Sequence, residues 1–143
     1  MNLPPAFSSR APGRGAFGRM HKSKLAGFII DCETKDLDAA ATFWASALGM
    51  PVDDVDAGPG YVQLKSGPVG LDIEVQQVPH PSRVHLDIET DDISAEVARL
   101  EKLGAKRVGE VKRWVVMEAP TGQRFCVVRA KASDFATKAN QWK

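Results

Sequence analysis

The chain has few of the residues that mark several common protein classes. Its 143 residues include only two cysteines, Cys32 and Cys126, with no CxxC spacing, so a disulfide-stapled secreted fold is excluded. Lys and Arg number 19 against 18 Asp and Glu, a balance that does not point to nucleic acid or a membrane surface. The longest apolar run, residues 25–30, is too short to span a bilayer. These absences favour a cytoplasmic protein with a small-molecule partner.

The N-terminal stretch of residues 1–24 differs in composition from the rest of the chain. It is rich in Pro, Gly and Arg and has no acidic residue, so we expect a disordered or loosely docked leader. A native leader, a transit peptide and an upstream start artefact, with Met20 as the alternative start, all remain open. Residues 25–130 are then predicted to form one domain, followed by a C-terminal tail at 131–143.

One stretch of the chain recurs later in a related form. GFIIDCETKDLDAAA, which begins at Gly27, aligns with RVHLDIETDDISAEV, which begins at Arg83. This places Asp31 on Asp87 and Asp36 on Asp92. Each copy has an alternating strand, an Asp that can cap a helix, and a helix that ends at Leu-Gly. We expect Asp31 and Asp87 to support the strand ends rather than to act as an acid–base pair.

Strand-like segments follow each helix: PVDDVDA, YVQLK and LDIEVQQV in the first copy, and KRVGEV, RWVVME and RFCVVRA in the second. The chain therefore reads as two βαβββ units, at 25–79 and 82–130. A slightly shorter shift aligns the later hairpins, with Val62 on Val116 and Leu71 on Phe125. The sequence predicts an α+β fold with two curled mixed sheets around a cleft and the helices on the outer face.

Side chains that point away from the helices are expected to line that cleft. The alternating pattern selects a set of mixed polarity, including a histidine and a thiol. The predicted ligand-binding residues are Asp31, Tyr61, Gln63, Asp72, Glu74, His85, Asp87, Met117, Arg124 and Cys126. Ile29 and Val115 share the same predicted face, whereas Cys32 faces the core and should be inert.

The paired units, with VHLDIETDDISAEVARLEKLGA and EAPTGQRFCVV, resemble the vicinal oxygen chelate superfamily. This group contains glyoxalase I, extradiol dioxygenases and bleomycin-resistance proteins. The resemblance covers about residues 25–130 and is closest to the glyoxalase-like subgroup, whose members often have the Asp-Cys pair seen at 31–32 and the His-Leu-Asp seen at 85–87. It implies the fold described above and a homodimer, which the tail would buttress with Phe135 and Trp142.

The resemblance also implies four metal-ligand positions on the first and last strands of the units. They fall on Ile29, Asp72, His85 and Cys126, and only His85 has the usual type. Ile29 cannot bind an ion, Asp72 could be replaced by Glu74 through a slip in the turn, and a thiolate suits a soft ion such as zinc. We therefore expect no cofactor. The alternative is one divalent ion held by His85, Asp72 and Cys126.

These observations predict a glyoxalase-like protein that binds a small organic molecule in its cleft, with the usual metal site degenerate. Whether it catalyses a reaction stays open at this point. One alternative is a metal-dependent lyase, isomerase or dioxygenase that uses His85 with Asp72 or Glu74. A second alternative is a scaffold without catalysis, whose sheet face binds another protein.

Overall fold

The computed structural model of the chain describes residues 20–131 and 133–143. The predicted leader therefore lies largely outside the described residues. Residues 21–24 do not belong to a leader, because the first strand already begins at His21. The boundary at residue 24 is thus corrected to a position before the strand.

The described residues form one mixed sheet of eight strands with three α-helices, which confirms the predicted α+β fold. The elements are β1 (His21–Glu33), α1 (Leu37–Leu48), β2 (Tyr61–Leu64), β3 (Asp72–Val78), β4 (Arg83–Thr90), α2 (Ile93–Lys102), β5 (Lys106–Val111), β6 (Trp114–Glu118), β7 (Arg124–Arg129), α3 (Phe135–Lys138) and β8 (Asn140–Trp142). The strand order is β2-β3-β1-β4-β7-β6-β5, and β8 pairs with β1. None of the helices described has the length and apolar character needed to cross a bilayer.

The chain divides into two compact units. The α1 unit comprises residues 26–86, and the α2 unit comprises the described residues up to Leu25 together with residues 87–143. The predicted division between residues 79 and 82 lies a few residues before the observed one, because β4 contributes residues to both units.

The core of the α1 unit forms where α1 packs against β1, β2 and β3. Asp36 caps the helix by accepting a hydrogen bond from the backbone N–H of Ala39 at 3.0 Å, and the helix ends at Gly49 with a φ of 66°. Burial raises the pKa of the Cys32 thiol, which fits the expected inert role. The buried core residues are Ile30, Cys32, Ala41, Leu64, Ile73 and Val75.

The predicted strand PVDDVDA is wrong apart from one bridge between Val52 and Leu64. Its aspartates close local turns instead of supporting a strand. Asp53 accepts from the backbone N–H of Val55 at 3.2 Å, and Asp56 accepts from that of Gly58 at 2.9 Å. Side chains of this type compete with a sheet for backbone donors, which favours a loop.

The core of the α2 unit corrects the predicted faces of β6. Met117 is fully buried and packs with Val97 and Leu100 of α2, and Val115 belongs to the same cluster. Met117 is therefore a core residue and not a cleft residue. Trp114 shares its strand face with Val116 and Glu118, away from this cluster.

The error in β6 comes from the alignment of the two units. β2 begins at Tyr61 and β6 at Trp114, so Val62 corresponds to Val115 and not to Val116 as predicted. A change of one position moves every side chain of a strand to the opposite face.

The alignment of β7 with β3 is also displaced, but without this consequence. β3 begins at Asp72 and β7 at Arg124, so the predicted match of Leu71 with Phe125 is wrong by two positions. A change of two leaves each side chain on its own face. The faces predicted for β7 are therefore confirmed: Phe125 and Val127 are core, and Arg124 and Cys126 point the other way.

A buried carboxylate holds the C-terminal tail within the α2 unit. Glu96 Oε1 accepts from His21 Nε2 at 2.9 Å and from Arg99 Nε at 2.7 Å, and Arg99 Nη2 donates to Oε2 at 2.8 Å. The Arg99 guanidinium lies 3.9 Å from the ring centroid of Trp142, whose Nε1 donates to Ser23 Oγ at 2.8 Å. Trp142 and the buried Phe135 thus have partners inside this chain and need no second subunit.

We expect Glu96→Gln to destabilise the protein at neutral pH by about 3 kcal/mol, because it breaks a buried ion pair. Burial tends to raise the pKa of Glu96, but hydrogen bonds from Arg99, Ser23 and His21 lower it overall. The ionised carboxylate therefore stabilises the fold above its usual pKa of 4.5, and this contribution is lost as the pH falls through the lowered value. Urea unfolding of both proteins at pH 7 and at stepwise lower pH measures the loss of stability.

The matched control is Glu101→Gln, an exposed residue of the same helix, which should leave the free energy of unfolding within about 0.5 kcal/mol. The difference in free energy of unfolding between wild type and Glu96→Gln should become smaller as the pH falls. A difference that stays constant from pH 7 to the lowest pH measured would contradict this account of Glu96.

We also expect Gly27→Ala to weaken the pairing of β1 with β3. Gly27 lies directly beside Asp72 in the register, and an added Cβ would overlap the backbone carbonyl oxygen of Asp72. The loss of stability should be about 1–3 kcal/mol or more, because backbone cannot move aside as a flexible side chain can. Gly109→Ala is the control, since nothing lies within 4 Å of its Cβ position. Equal thermal stability of the two variants would contradict this packing.

Candidate functional site

Polar side chains form rows on the face of the α1 unit that points away from α1. The strand register places Asp31 beside Gln76 and Gln76 beside Tyr61. The next row contains Ile29, Glu74 and Gln63. Since the core takes the alternate positions of each strand, these side chains share the opposite face. We call Asp31, Tyr61, Gln63, Glu74, Gln76 and His85 the polar face.

His85 joins this face through a direct bond to Asp31. Its Nδ1 lies 2.7 Å from Asp31 Oδ2, and the two side chains are 13% and 2% exposed. The Nε of Arg83 lies 3.7 Å from the same oxygen. Because an ionised carboxylate can only accept, Nδ1 carries a proton in this contact. Asp31 thus fixes the orientation of His85 and keeps a proton on its Nδ1.

The second oxygen of Asp31, Oδ1, differs from Oδ2 in its hydrogen bonding. Oδ1 is buried, and no hydrogen-bond partner for it is found among the residues the structure describes. An unsatisfied buried acceptor costs about 1–3 kcal/mol, and such atoms are uncommon in folded proteins. Glu89 Oε1, in the α2 unit, is likewise buried without a hydrogen-bond partner among the described residues.

Sequence reasoning placed Asp31, Tyr61, Gln63, Glu74 and His85 on this face but missed two features. It gave Asp31 a supporting role at a strand end, whereas the structure bonds it to His85. It also omitted Gln76, although the alternation through Glu74 already predicts that side chain on the same face. Asp72 lies beside Gly27 and is exposed.

In the α2 unit, Arg124 and Cys126 point away from the core as predicted. Arg124 Nε lies 3.4 Å from Oε1 of Glu118, its direct partner across the β6–β7 pair, so this guanidinium already has an acidic partner. Cys126 is buried, and Asp87 is half-buried on β4. Sequence reasoning missed Glu118 on this face because of the one-position error in β6.

The alignment of the units changes one of the predicted metal-ligand positions. Because β3 begins at Asp72 and β7 at Arg124, the equivalent of Cys126 in the first unit is Glu74, not Asp72. Glu74 therefore takes the place of Asp72 at this position. Within the α2 unit, Asp87 and Cys126 have potential ligand atoms that lie within 4.8 Å of each other.

These donors do not fit the hard ions that such a fold implies. Ile29, at the first of the four family positions, offers no ligand atom, and the thiol of Cys126 is a soft ligand. Ions such as Mn²⁺ prefer carboxylate, imidazole and water oxygen or nitrogen ligands without thiolate. We therefore assign no reaction step to a metal.

With the geometry established, comparison with known proteins identifies the family. The family described as a glyoxalase-like domain matches residues 27–128, which is most of the chain. The chain belongs to this glyoxalase-like family. The match confirms membership of the vicinal oxygen chelate superfamily. No curated protein matches the chain by sequence.

Solved structures share the fold of this glyoxalase-like chain at low sequence identity. Methylmalonyl-CoA epimerase from Mycobacterium tuberculosis has a TM-score of 0.55 at 18% identity, over 78% of this chain and 91% of the epimerase. A Mn(II)-bound glyoxalase from Novosphingobium aromaticivorans has a TM-score of 0.52 at 15% identity, over 80% of this chain and 44% of the glyoxalase. An extradiol ring-cleaving dioxygenase from B.fuscum has 0.51 at 15% identity, over 76% of this chain and 32% of the dioxygenase. These likenesses support the fold alone.

The glyoxalase-like chain should not retain manganese in stoichiometric amount. We expect less than about 0.1 equivalent after incubation with Mn²⁺ and gel filtration, because Ile29 removes one ligand and the thiolate of Cys126 is a soft ligand that does not suit this ion. Inductively coupled plasma mass spectrometry of untagged wild type measures this, with His85→Ala in parallel. One equivalent of manganese that disappears in His85→Ala would contradict the expectation.

Proposed function

We propose that this glyoxalase-like protein binds a small organic molecule on the polar face of the α1 unit and moves a proton with His85, without a metal. The bond from His85 Nδ1 to the buried Asp31 carries this proposal. Ligand sites need a few fixed polar groups on a rigid support, and the rows across β1, β2 and β3 provide them.

The Asp31–His85 pair favours general-base chemistry. A histidine whose Nδ1–H is held by a buried carboxylate presents Nε2 as the proton acceptor, and the carboxylate stabilises the imidazolium that forms. The proton would come from a hydroxyl group or from a carbon beside a carbonyl of the ligand. Asp31 acts here as a positioning residue, because it works through His85.

The alternatives receive less support. A metal-dependent lyase, isomerase or dioxygenase would have to hold its ion without a ligand at position 29, where Ile29 stands. A scaffold would use an apolar surface, and the polar face is not one.

Val84 and Leu86 are exposed on the other face of β4, because α1 packs on β2 and β3 and α2 packs on β5, β6 and β7. They are available to a second subunit, so the homodimer stays a prediction, as does the cytoplasmic location.

A fragment screen followed by NMR tests the binding site. We expect ligands to shift backbone amide signals at residues 61–63, 74–76 and 85, and His85→Gln to weaken binding by about tenfold or more. His80→Gln is the control, because His80 is on the loop before β4 and its ring contacts the Pro81 carbonyl and Arg83 but no residue of the polar face among the contacts described. Ligands that shift none of these signals would contradict the proposed site.

Proton transfer has its own readout. For ketone fragments that bind, wild-type protein should speed deuterium uptake from solvent at the carbon beside the carbonyl by about 10²-fold or more over buffer. His85→Gln should abolish this gain, and Asp31→Asn should reduce it while leaving binding of the ketone within a few-fold, since it disturbs the tautomer. An unchanged rate in both variants would remove His85 from the chemistry.

A further inference from the structure

Arg83 brings a positive charge next to the Asp31–His85 pair. It stands two residues before His85 on β4, so both side chains leave the same face of the strand. Its Nε lies 3.7 Å from Asp31 Oδ2, and this is the oxygen that lies 2.7 Å from His85 Nδ1. The guanidinium and the imidazole are therefore neighbours around one carboxylate oxygen.

The guanidinium of Arg83 is accessible from solvent, unlike the carboxylate that it contacts. The side chain of Arg83 is 48% exposed, whereas that of Asp31 is 2% exposed. The distance to Asp31 is too long for a hydrogen bond, and Nη2 donates to His80 Nε2 across 3.4 Å. The N–H donors of Nη1 have no partner among the residues the structure describes. A ligand in contact with His85 can therefore also accept hydrogen bonds from this cation.

Removal of a proton from carbon requires a group that stabilises negative charge on oxygen. When a base takes a proton beside a carbonyl, the electrons of the C–H bond form a C=C bond and a negative charge develops on the carbonyl oxygen. Tyr61, Gln63 and Gln76 are neutral donors on the polar face, and Glu74 has the wrong charge. Arg83 combines N–H donors with a full positive charge beside the proposed base, which is the arrangement that this oxygen needs.

We propose that Arg83 is a catalytic residue that donates hydrogen bonds to the carbonyl oxygen of the ligand while His85 removes a proton from the neighbouring carbon. This inference rests on the proposed proton transfer and adds the group that stabilises the enolate. His85 Nε2 takes the proton, and the pair of electrons displaced from the C=O bond stays on the oxygen beside the guanidinium. Return of a proton from His85 to the carbon restores the carbonyl, so the cycle needs no oxidant or reductant.

This role names the class of substrate as a neutral ketone or aldehyde with a hydrogen on the carbon beside the carbonyl. The ligand then carries no charge when it binds, so it does not meet the carboxylates of Asp31 and Glu74 as a like charge. Negative charge appears only as the proton leaves. The contribution of Arg83 is therefore larger in the transition state than in the bound ligand.

Deuterium uptake measured as kcat and KM tests this role. Ketone fragments that bind the wild-type protein are followed by ¹H NMR in D₂O over a range of concentrations. We expect Arg83→Gln to lower kcat by about 10²-fold or more and to change KM by no more than about threefold, because the charge on oxygen is absent from the bound ligand. Arg83→Lys keeps the positive charge and should be about tenfold or more faster than Arg83→Gln.

Lys65→Gln is the matched control, because it removes one positive charge from an exposed position of the same unit, directly after β2. Exposed charges at a distance are screened by salt, so kcat and KM should stay within about twofold of wild type. Long-range ¹H–¹⁵N NMR of His85 should show a protonated Nδ1 in Arg83→Gln as in wild type. This readout separates a direct effect on the ligand from a change in the Asp31–His85 contact. Thermal unfolding establishes that the variants are folded, and Arg83→Lys tests the role if Arg83→Gln is not.

The outcomes separate this inference from the function on which it rests. A kcat of Arg83→Gln within about threefold of wild type, a loss confined to KM, a changed Nδ1 signal or an Arg83→Lys as slow as Arg83→Gln overturns the catalytic role of Arg83. The proposed function still stands in these cases if the exchange depends on His85. If wild-type protein does not speed the exchange of any bound ketone, or if His85→Gln leaves the rate unchanged, the proposed proton transfer itself fails.

Discussion

The hydrogen bond between His85 and Asp31 is the contact on which the polar face depends. It joins the end of β1 to β4 at 2.7 Å, and it gives a ring that could rotate freely one orientation and one tautomer. The contact also gives a carboxylate that is almost completely buried a fixed hydrogen-bond donor. The proposed proton transfer depends on it.

The sequence predicted best those features that are decided over a few residues. Asp36 and Asp92 cap their helices as expected, and the three strands expected after the second helix are present, because capping and periodicity are local. Met117 was placed on the wrong face for a reason that no local pattern contains. The two hairpins differ in the spacing of their strands. The difference in residue number that relates β2 to β6 is therefore not the same as the one that relates β3 to β7, and the two differ by one position.

The contact between Asp31 and His85 is another feature that a local sequence pattern could not predict. Alternation alone places both residues on the face away from the helices, and that much was predicted. Their contact depends on which strands are neighbours in the sheet, which is a long-range property of the chain. Family membership, which residues 27–128 establish, fixes the fold and leaves the reaction to the side chains. Ile29 and Cys126 are the positions at which this chain departs from a hard-metal site.

The tautomer of His85 tests the central claim most directly. Long-range ¹H–¹⁵N NMR of the imidazole nitrogens distinguishes a protonated Nδ1 from a protonated Nε2. We expect the Nδ1–H form in wild type at neutral pH and a shift toward the Nε2–H form in Asp31→Asn, whose amide can donate to Nδ1. A wild-type His85 that carries its proton on Nε2, or a tautomer that does not respond to the substitution, would contradict the account.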